Sequence, residues 1–515
     1  MTMMAPGVYG YPPPPPPPPP PLAGPALPQY GEPGWTVWSR RIWPLDPLAA
    51  APHRLALLAA LVGVVGAALW RPSVFSVGYL LVGVMVFGVV YRTADRRPTR
   101  SEWLGMALTL ALLAVPALLA AEWVNALCVM AAWIVGWGTL IGGRTWTAVF
   151  TGPFVPWCVP ARVVGWVRRA ALVTGRGRIG APSARGVAVV AVSVVLALVF
   201  GGLFAAADPA FAHVIGNVVP EFSASDVVAR VAVGVLAAAF VLIGGYVVRF
   251  APRLDAMAPR PMRALPSWEW ALPLSVLNVV FIAFVAVQAT VLFGGHAHVL
   301  ETEGLTYAEY ARQGFWQLLW VSALTLLVLS AVIRVAGRTS PGERRLLRIL
   351  VGTLCLTSVV VVISAIHRMW LYQQAYGFST ERLMVITIEL WLGAVFVLIA
   401  VAGIRMTARW LPRAVLVAGA MALLGLAAIN PERLIAERNI DRYEQTGSLD
   451  TDYLLGLSPD VEPALRRLPE SMQVCARYRD DAPDAWYEFN LARSRASTGG
   501  TPAGDVCADY WGFSR

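Results

Sequence analysis

Eleven stretches of this chain are apolar over nearly the length needed to cross a lipid bilayer, and this limits the possible folds more than any other feature. A hydrocarbon layer about 30 Å thick takes about 20 helical residues, within a range near 17–25. The stretches fall at about 54–70, 72–91, 103–121, 122–142, 186–206, 228–248, 270–294, 314–335, 346–366, 383–403 and 411–429. Lipid offers no water to a bare N–H or C=O group, so each stretch must bond its own backbone as a helix. Several are rich in Ala, Val and Gly, which suits close helix contacts. The first two meet at Trp70, Arg71 and Pro72 and are expected to form a tight hairpin; the third and fourth turn near Glu122.

Composition removes the alternatives. The chain has 515 residues, 57% hydrophobic and 14% charged, against roughly 45–50% and about 25% in soluble domains. An ordinary soluble enzyme, a disordered or fibrous chain and a small disulfide scaffold are all excluded. The expected fold is all-α: a polytopic helical membrane protein with about 11 transmembrane helices and a small helical extracytoplasmic C-terminal domain. It divides into a Pro-rich cytoplasmic tail (1–50), a transmembrane domain (51–429) and the C-terminal domain (430–515). The tail holds an unbroken run from Pro12 to Pro21. Such a run favours an extended, solvated helix, either as a disordered tail or as a strip for a proline-binding partner.

Arginine placement orients the spans. All 41 basic residues are arginine and the net charge is +10. With the N-terminus in the cytoplasm, the inner segments hold 26 arginines, while the outer loops between spans and their helix ends hold only Arg71, Arg230, Arg312, Arg368 and Arg382. That is the positive-inside pattern, and it leaves residues 430–515 outside. The arginines are spread over short loops rather than gathered on one surface, so they give no sign of a nucleic-acid partner. The expected partners are membrane lipids and proteins that meet the C-terminal domain or the proline tail.

The longest inner connection, 143–185, contains a basic amphipathic stretch from Ala161 to Val173, with Val163, Val164, Trp166 and Val167 among Arg162, Arg168 and Arg169. Such a helix can lie in the headgroup plane of an anionic leaflet. In the tail, Asn430-Pro431-Glu432 reads as a capped helix start, the helix running to about Gln445 and stopping at Gly447. Asp450–Leu455 and Ser458–Leu468 read as two further short helices. Cys475 and Cys507 fall outside the membrane on this map, where they could pair as a disulfide or stand as two free thiols.

Three ordered motifs then resemble a known family. They are Gly304-Leu-Thr-Tyr-Ala-Glu-Tyr-Ala-Arg-Gln-Gly-Phe-Trp-Gln-Leu318, Tyr372-Gln-Gln-Ala-Tyr-Gly-Phe-Ser-Thr-Glu-Arg382 and Asn430-Pro-Glu-Arg-Leu-Ile-Ala-Glu-Arg-Asn439, the last followed by Asp450 and Tyr453. They are similar to a bacterial polytopic membrane family known only as a domain of unknown function (4153/4173 type). The resemblance implies a multi-pass protein of a bacterial plasma membrane. It carries over no activity and no catalytic residue.

Chemistry-bearing residues are few. Glu389 is the one acid placed well inside a span. A charge there is costly and normally faces a cavity or a partner. His367 and Arg368 close the preceding span on the same side, so Glu389 could belong to a structural ion pair or to a proton, ion or substrate path that includes Arg368, His367 and Gln288. Asn278 and Gln288 also suit hydrogen bonds between helices. His296, His298 and Glu301 form the densest set of Zn²⁺-type donors, although they match no defined ligand spacing and polar residues belong in outer loops anyway. Zinc is thus the one cofactor the residues allow, and none is required. There is no phosphate-cradling loop, no HExxH helix and no nucleophile elbow. An enzyme is therefore the weaker expectation. A non-enzymatic membrane component or scaffold with protein partners comes first, a transporter or channel with a polar site near Glu389 second, and an enzyme at the outer leaflet third.

Overall fold

The computed structural model describes residues 42–43, 51–70, 74–94, 96–174, 200, 224–259, 263–293, 315–469 and 485–496. Among these residues the regular structure is helical. The main helices are α1 (His53–Leu69), α2 (Gly78–Thr93), α3 (Arg100–Leu118), α4 (Glu122–Ile141), α5 (Pro160–Thr174), α6 (Ala224–Arg249), α7 (Ser267–Phe293), α8 (Phe315–Val335), α9 (Pro341–Tyr376), α10 (Thr380–Arg405), α11 (Leu411–Ala428) and α12 (Pro431–Thr446). Among the described residues, eight of them, α3, α4 and α6–α11, are long and apolar enough to cross a membrane, and α1 and α2 are shorter apolar helices.

The sequence explains the boundaries. At α3, the Thr99 hydroxyl accepts from the Glu102 N–H while the Glu102 carboxylate accepts from the Thr99 N–H. Ser340 and Glu343 do the same at α9, with Pro341 in the first turn. These reciprocal caps satisfy N–H groups that would otherwise be orphaned. Gly142 ends α4 in the left-handed region at φ 78°, which glycine adopts without strain. The stretch expected at 72–91 becomes helical only at Gly78, where the Gly78 N–H meets the Ser76 hydroxyl. The end of α1 and the start of α2 lie close together: a Cβ on Gly78 would lie 2.5 Å from the Leu69 carbonyl oxygen.

Three apolar cores organise the bundle. α1, α2 and α6 enclose one, with α5 against it. α7, α8, α9 and α10 enclose another. α3 and α4 pack on each other and on α11, which also packs on α10. α11 therefore joins the two halves. The closest crossing is α1 against α6, where Gly63 faces Gly234 and each would place a Cβ under 3.0 Å from the other's carbonyl oxygen.

The amphipathic stretch does form α5, and part of its apolar face packs on the bundle while Val164 stays exposed. Val163, Trp166 and Ala170 are buried in the first core. Trp166 packs edge-on against Tyr246 and Phe250, and the Arg249 guanidinium lies over its ring. Burying an indole against α6 removes more apolar surface from water than half-immersion at a headgroup boundary would.

The two ends of the bundle keep the loops assigned to them from arginine placement. At one end the Arg253 N–H donates to Ile42, the Leu265 N–H donates to Val335, and Arg413 donates to the carbonyls of Gly142 and Gly143. The Asp255 carboxylate accepts from the N–H groups of Arg144 and Thr145 and from the Thr145 hydroxyl. Burial works to raise the Asp255 pKa, but these hydrogen bonds and nearby Arg413 outweigh it and hold the carboxyl below its usual range. Every segment in this set was assigned to the inner side. Among the described residues, the segments assigned to the outer side meet at the other end, where the C-terminal segment contacts Phe75, Ala120 and Phe378.

Candidate functional site

Two arrangements at that other end carry the polar chemistry. The first is a buried level within the α9–α10 hairpin. α9 and α10 are antiparallel, and Gly393 lies against Val362. Glu389 sits one turn closer to the hairpin's turn and is therefore level with Ile366. It is 0% exposed, and neither carboxylate oxygen has a hydrogen-bond partner among the described residues. Close to this height the Ser364 hydroxyl donates to Gln288 Oε1 at 3.1 Å, linking α9 to α7. His367 is exposed and Arg368 half-buried. No ion pair joins either of them to Glu389 among the described residues. Of the residues proposed for a polar path, the structure thus brings Gln288 to α9 and leaves the Glu389 carboxylate alone.

Asn278 links α7 to α9, donating to the carbonyls of Leu274 and Leu350. Gln373, in the last turn of α9, is fully buried, and both polar atoms of its side chain lack a partner among the described residues. The sequence carried a hint of it, since Gln373 lies inside one of the three motifs. The motif reads as a loop, however, and the helix runs on to Tyr376.

The second arrangement fastens the C-terminal segment to the ends of the membrane helices. α12 begins where Asn430 caps it, as read, and ends at Gly447 in the left-handed region. It packs with Thr451–Leu455 and Glu462–Leu465 around Ile435, Ile440, Leu454 and Leu465. Side chains of this segment reach the bundle at several points, Tyr453 accepting from the Thr380 N–H and Arg493 donating to the Phe75 carbonyl among them. Asp460 Oδ2 accepts from the N–H groups of Ala120 and Ala121 at 2.7 and 2.9 Å, at the start of α4. Glu432 accepts from Trp123 Nε1 and from the Ser458 N–H. Asn439 both accepts from and donates to the backbone of Phe378, at the α9–α10 turn. Asn490 donates to the carbonyls of Pro116 and Leu119, the last turn of α3.

Asp460, Glu432 and Asn490 are buried. Each satisfies backbone or indole groups that a helix end leaves open. Asp460 also sets a negative charge at the N-terminus of α4, where the helix dipole favours it. Only the capping pattern at Asn430 pointed to any of these roles, because the partners lie up to 374 positions away.

Several sequence candidates lie outside the described residues. These are His296, His298 and Glu301, the expected zinc donors; Cys475 and Cys507, the expected disulfide; the stretch 186–206 apart from Phe200; the Pro-rich run; and the motif at 304–318 up to Gly314. Among the described residues no group of three or more His, Cys, Asp and Glu is placed to hold a metal ion.

A family model described as a domain of unknown function (DUF4153) matches residues 106–468. Comparison with curated proteins and with solved structures gives no match.

Proposed function

The chain belongs to the DUF4153 family, all three motifs of the resemblance falling inside the matched stretch, and we propose that it is a membrane platform: a non-enzymatic, multi-pass component of a bacterial plasma membrane that holds a helical C-terminal domain rigidly at the outer surface for protein partners. The observation that carries this reading is the fastening of the segment after Asn430. Asp460, Glu432, Asn439 and Asn490 tie it to three separate helix ends. A tail on a flexible tether would need none of these contacts.

The proposal places the N-terminus in the cytoplasm and residues 430–515 outside. Its eleven crossings comprise the eight long helices, α1 and α2, and one crossing between α5 and α6. The support for that last crossing is that Trp166 of α5 lies beside the C-terminal end of α6, so the start of α6 is at the opposite end of the bundle.

A second reading is favoured by one observation, the partnerless buried carboxylate of Glu389. Acids inside membrane helices commonly serve transport or proton relay. In that reading Glu389 and Gln288 belong to a path for ions or a small substrate.

One pair of measurements decides between the readings. With native cysteines replaced, Glu389→Cys is treated with a membrane-impermeant thiol reagent from each side. A photo-crosslinking residue is placed at the exposed Arg438 of α12 in intact cells. The platform reading expects no labelling at 389 and a discrete protein adduct at 438 that Asp460→Ala removes by unfastening the segment. Labelling at 389 with no adduct at 438 would replace it with the transport reading.

A further inference from the structure

A groove of about 390 Å³ opens between α3, α11 and the C-terminal segment. That is within the size range of small-molecule sites, about 300–1,000 Å³. Its lower wall is apolar and belongs to helices that cross the membrane: Ala111 and Leu118 on α3, Ala427 and Ala428 on α11. Ala111, Leu118 and Ala428 are exposed on the bundle's outer surface. Ala111 lies seven residues below Leu118, so the wall descends about 10 Å from the helix end at about 1.5 Å per residue. Its rim carries two arginines, Arg433 in the first turn of α12 and Arg495 at the end of the helix Leu491–Arg495.

The charges at the rim do not cancel in place. Asp460 lines the groove, but its two oxygens accept from Ala120, Ala121, Ser458 and Asn430. Glu462 lines it too, and Arg466 approaches its carboxylate at 3.8 Å. Glu437 engages Arg433 through Nε, at 2.8 Å. Arg495 makes no hydrogen bond and no ion pair among the described residues. A cation at the end of membrane-crossing helices, directly above a strip of apolar surface facing lipid, is the geometry of a headgroup site. The planar guanidinium fork matches phosphate oxygens, and an acyl chain is as apolar as the wall it would cover.

We propose that this groove binds one phospholipid, an acyl chain lying along Ala111 and Leu118 and the phosphate held by Arg495, with the Arg433 edge that Glu437 leaves open as second donor. The site needs only that α3 and α11 lie in a bilayer, so it stands or falls independently of the platform reading. Filled, it would complete the contact between the membrane helices and the C-terminal segment, because its walls come from both.

The test is native mass spectrometry of the full chain released from detergent, titrated with dioleoyl phosphatidylglycerol. The expected result is one retained lipid on the native chain. Retention should fall about tenfold in Arg495→Ala, the size of one lost charge-assisted contact. It should fall comparably in Ala111→Phe, which fills the wall from an exposed position that folding can tolerate. Dioleoylglycerol, with the same chains and no phosphate, should bind more weakly than the phospholipid, and glycerol 3-phosphate should not displace it. Unchanged retention in both variants, at an unchanged melting temperature, would overturn the site. Equal retention of dioleoylglycerol would overturn the role of Arg495. Displacement by glycerol 3-phosphate would make it a free-phosphate site, and a dimer mass lost in Ala111→Phe would make the groove a contact between two copies. If Ala111→Phe does not fold, Arg495→Ala and the dioleoylglycerol comparison still decide.

Discussion

Asp460 caps a helix that begins 338 positions before it: its carboxylate accepts from the backbone N–H groups of Ala120 and Ala121, at 2.7 and 2.9 Å, where α4 starts. A side-chain oxygen at a helix N-terminus satisfies donors that have no partner within the helix, and its loss ordinarily costs about 0.5–2 kcal/mol. Here the same carboxylate also accepts from Asn430 and Ser458, so one group fastens α4, the start of α12 and the turn at Ser458 together.

Asp460→Ala is therefore expected to cost about 2 kcal/mol or more, since it strands several buried donors at once. The loss should be local. Limited proteolysis in detergent should cut the segment after Asn430 faster while the membrane helices stay protected. Uniform loss of protection along the whole chain would contradict a local fastening.

The α1–α6 crossing depends on two glycines. A Cβ at Gly63 would lie 2.9 Å from the Gly234 carbonyl oxygen and 3.1 Å from the Ala238 Cβ. Backbone cannot yield as a flexible side chain can, so Gly63→Ala should cost about 1–3 kcal/mol through overpacking. Gly88 on α2 has open space around it, and Gly88→Ala should be neutral or slightly stabilising, as helix propensity alone dictates. Thermal unfolding of both variants in one detergent checks the contrast.

The bundle was legible in the sequence because its determinants are local. Apolar length marked ten of the eleven expected stretches as helices among the described residues, eight of them long enough to cross a membrane, and capping residues such as Asn430 and Gly447 set the ends of α12. Arginine placement sorted the loops into two sets, and the described ones lie at two ends of the bundle. Three things were not legible, each for a physical reason. Part of the apolar face of α5 meets α6 rather than lipid, and an amphipathic pattern is the same for either neighbour. The start of α2 moved to Gly78, because hydropathy averages over the turn that precedes it. The partners of Asp460, Asn490 and Asn439 are backbone groups, which carry no residue identity to read. Glu389 stood out as an acid in a span, whereas the isolation of its carboxylate depends on the packing of α9 and α10.

Acid should loosen the opposite end of the bundle through Asp255. Its carboxyl lies below the usual range, so it contributes stability that is fully present above its unfolded value, near 3.9, and is lost as pH falls through the lower folded value. The group is exposed, and screening keeps the contribution to about 1 kcal/mol or less. The difference in melting temperature between the native chain and Asp255→Asn should be constant from about pH 6 to 8 and shrink below about pH 4. A difference that grows with acid would reverse the sign and rule out a low-pKa carboxylate there.

Glu389 gives the sharpest contrast between the two functional readings. Both of its oxygens are buried without a partner, and an uncompensated polar group costs free energy whether or not it carries charge. If the site only packs helices, replacing the carboxylate with an apolar group of similar length removes that cost. Glu389→Met should then raise the melting temperature in detergent, by an amount equivalent to about 1–3 kcal/mol, while the crosslink at Arg438 is unaffected. A site that serves ions or protons carries the cost for the sake of function. There, Glu389→Met would still stabilise the fold, but Glu389→Asp and Glu389→Gln would differ in a proton-flux assay in liposomes, because only the carboxylate can exchange a proton. Equal, background-level flux in the native chain and both variants is the outcome expected of a platform.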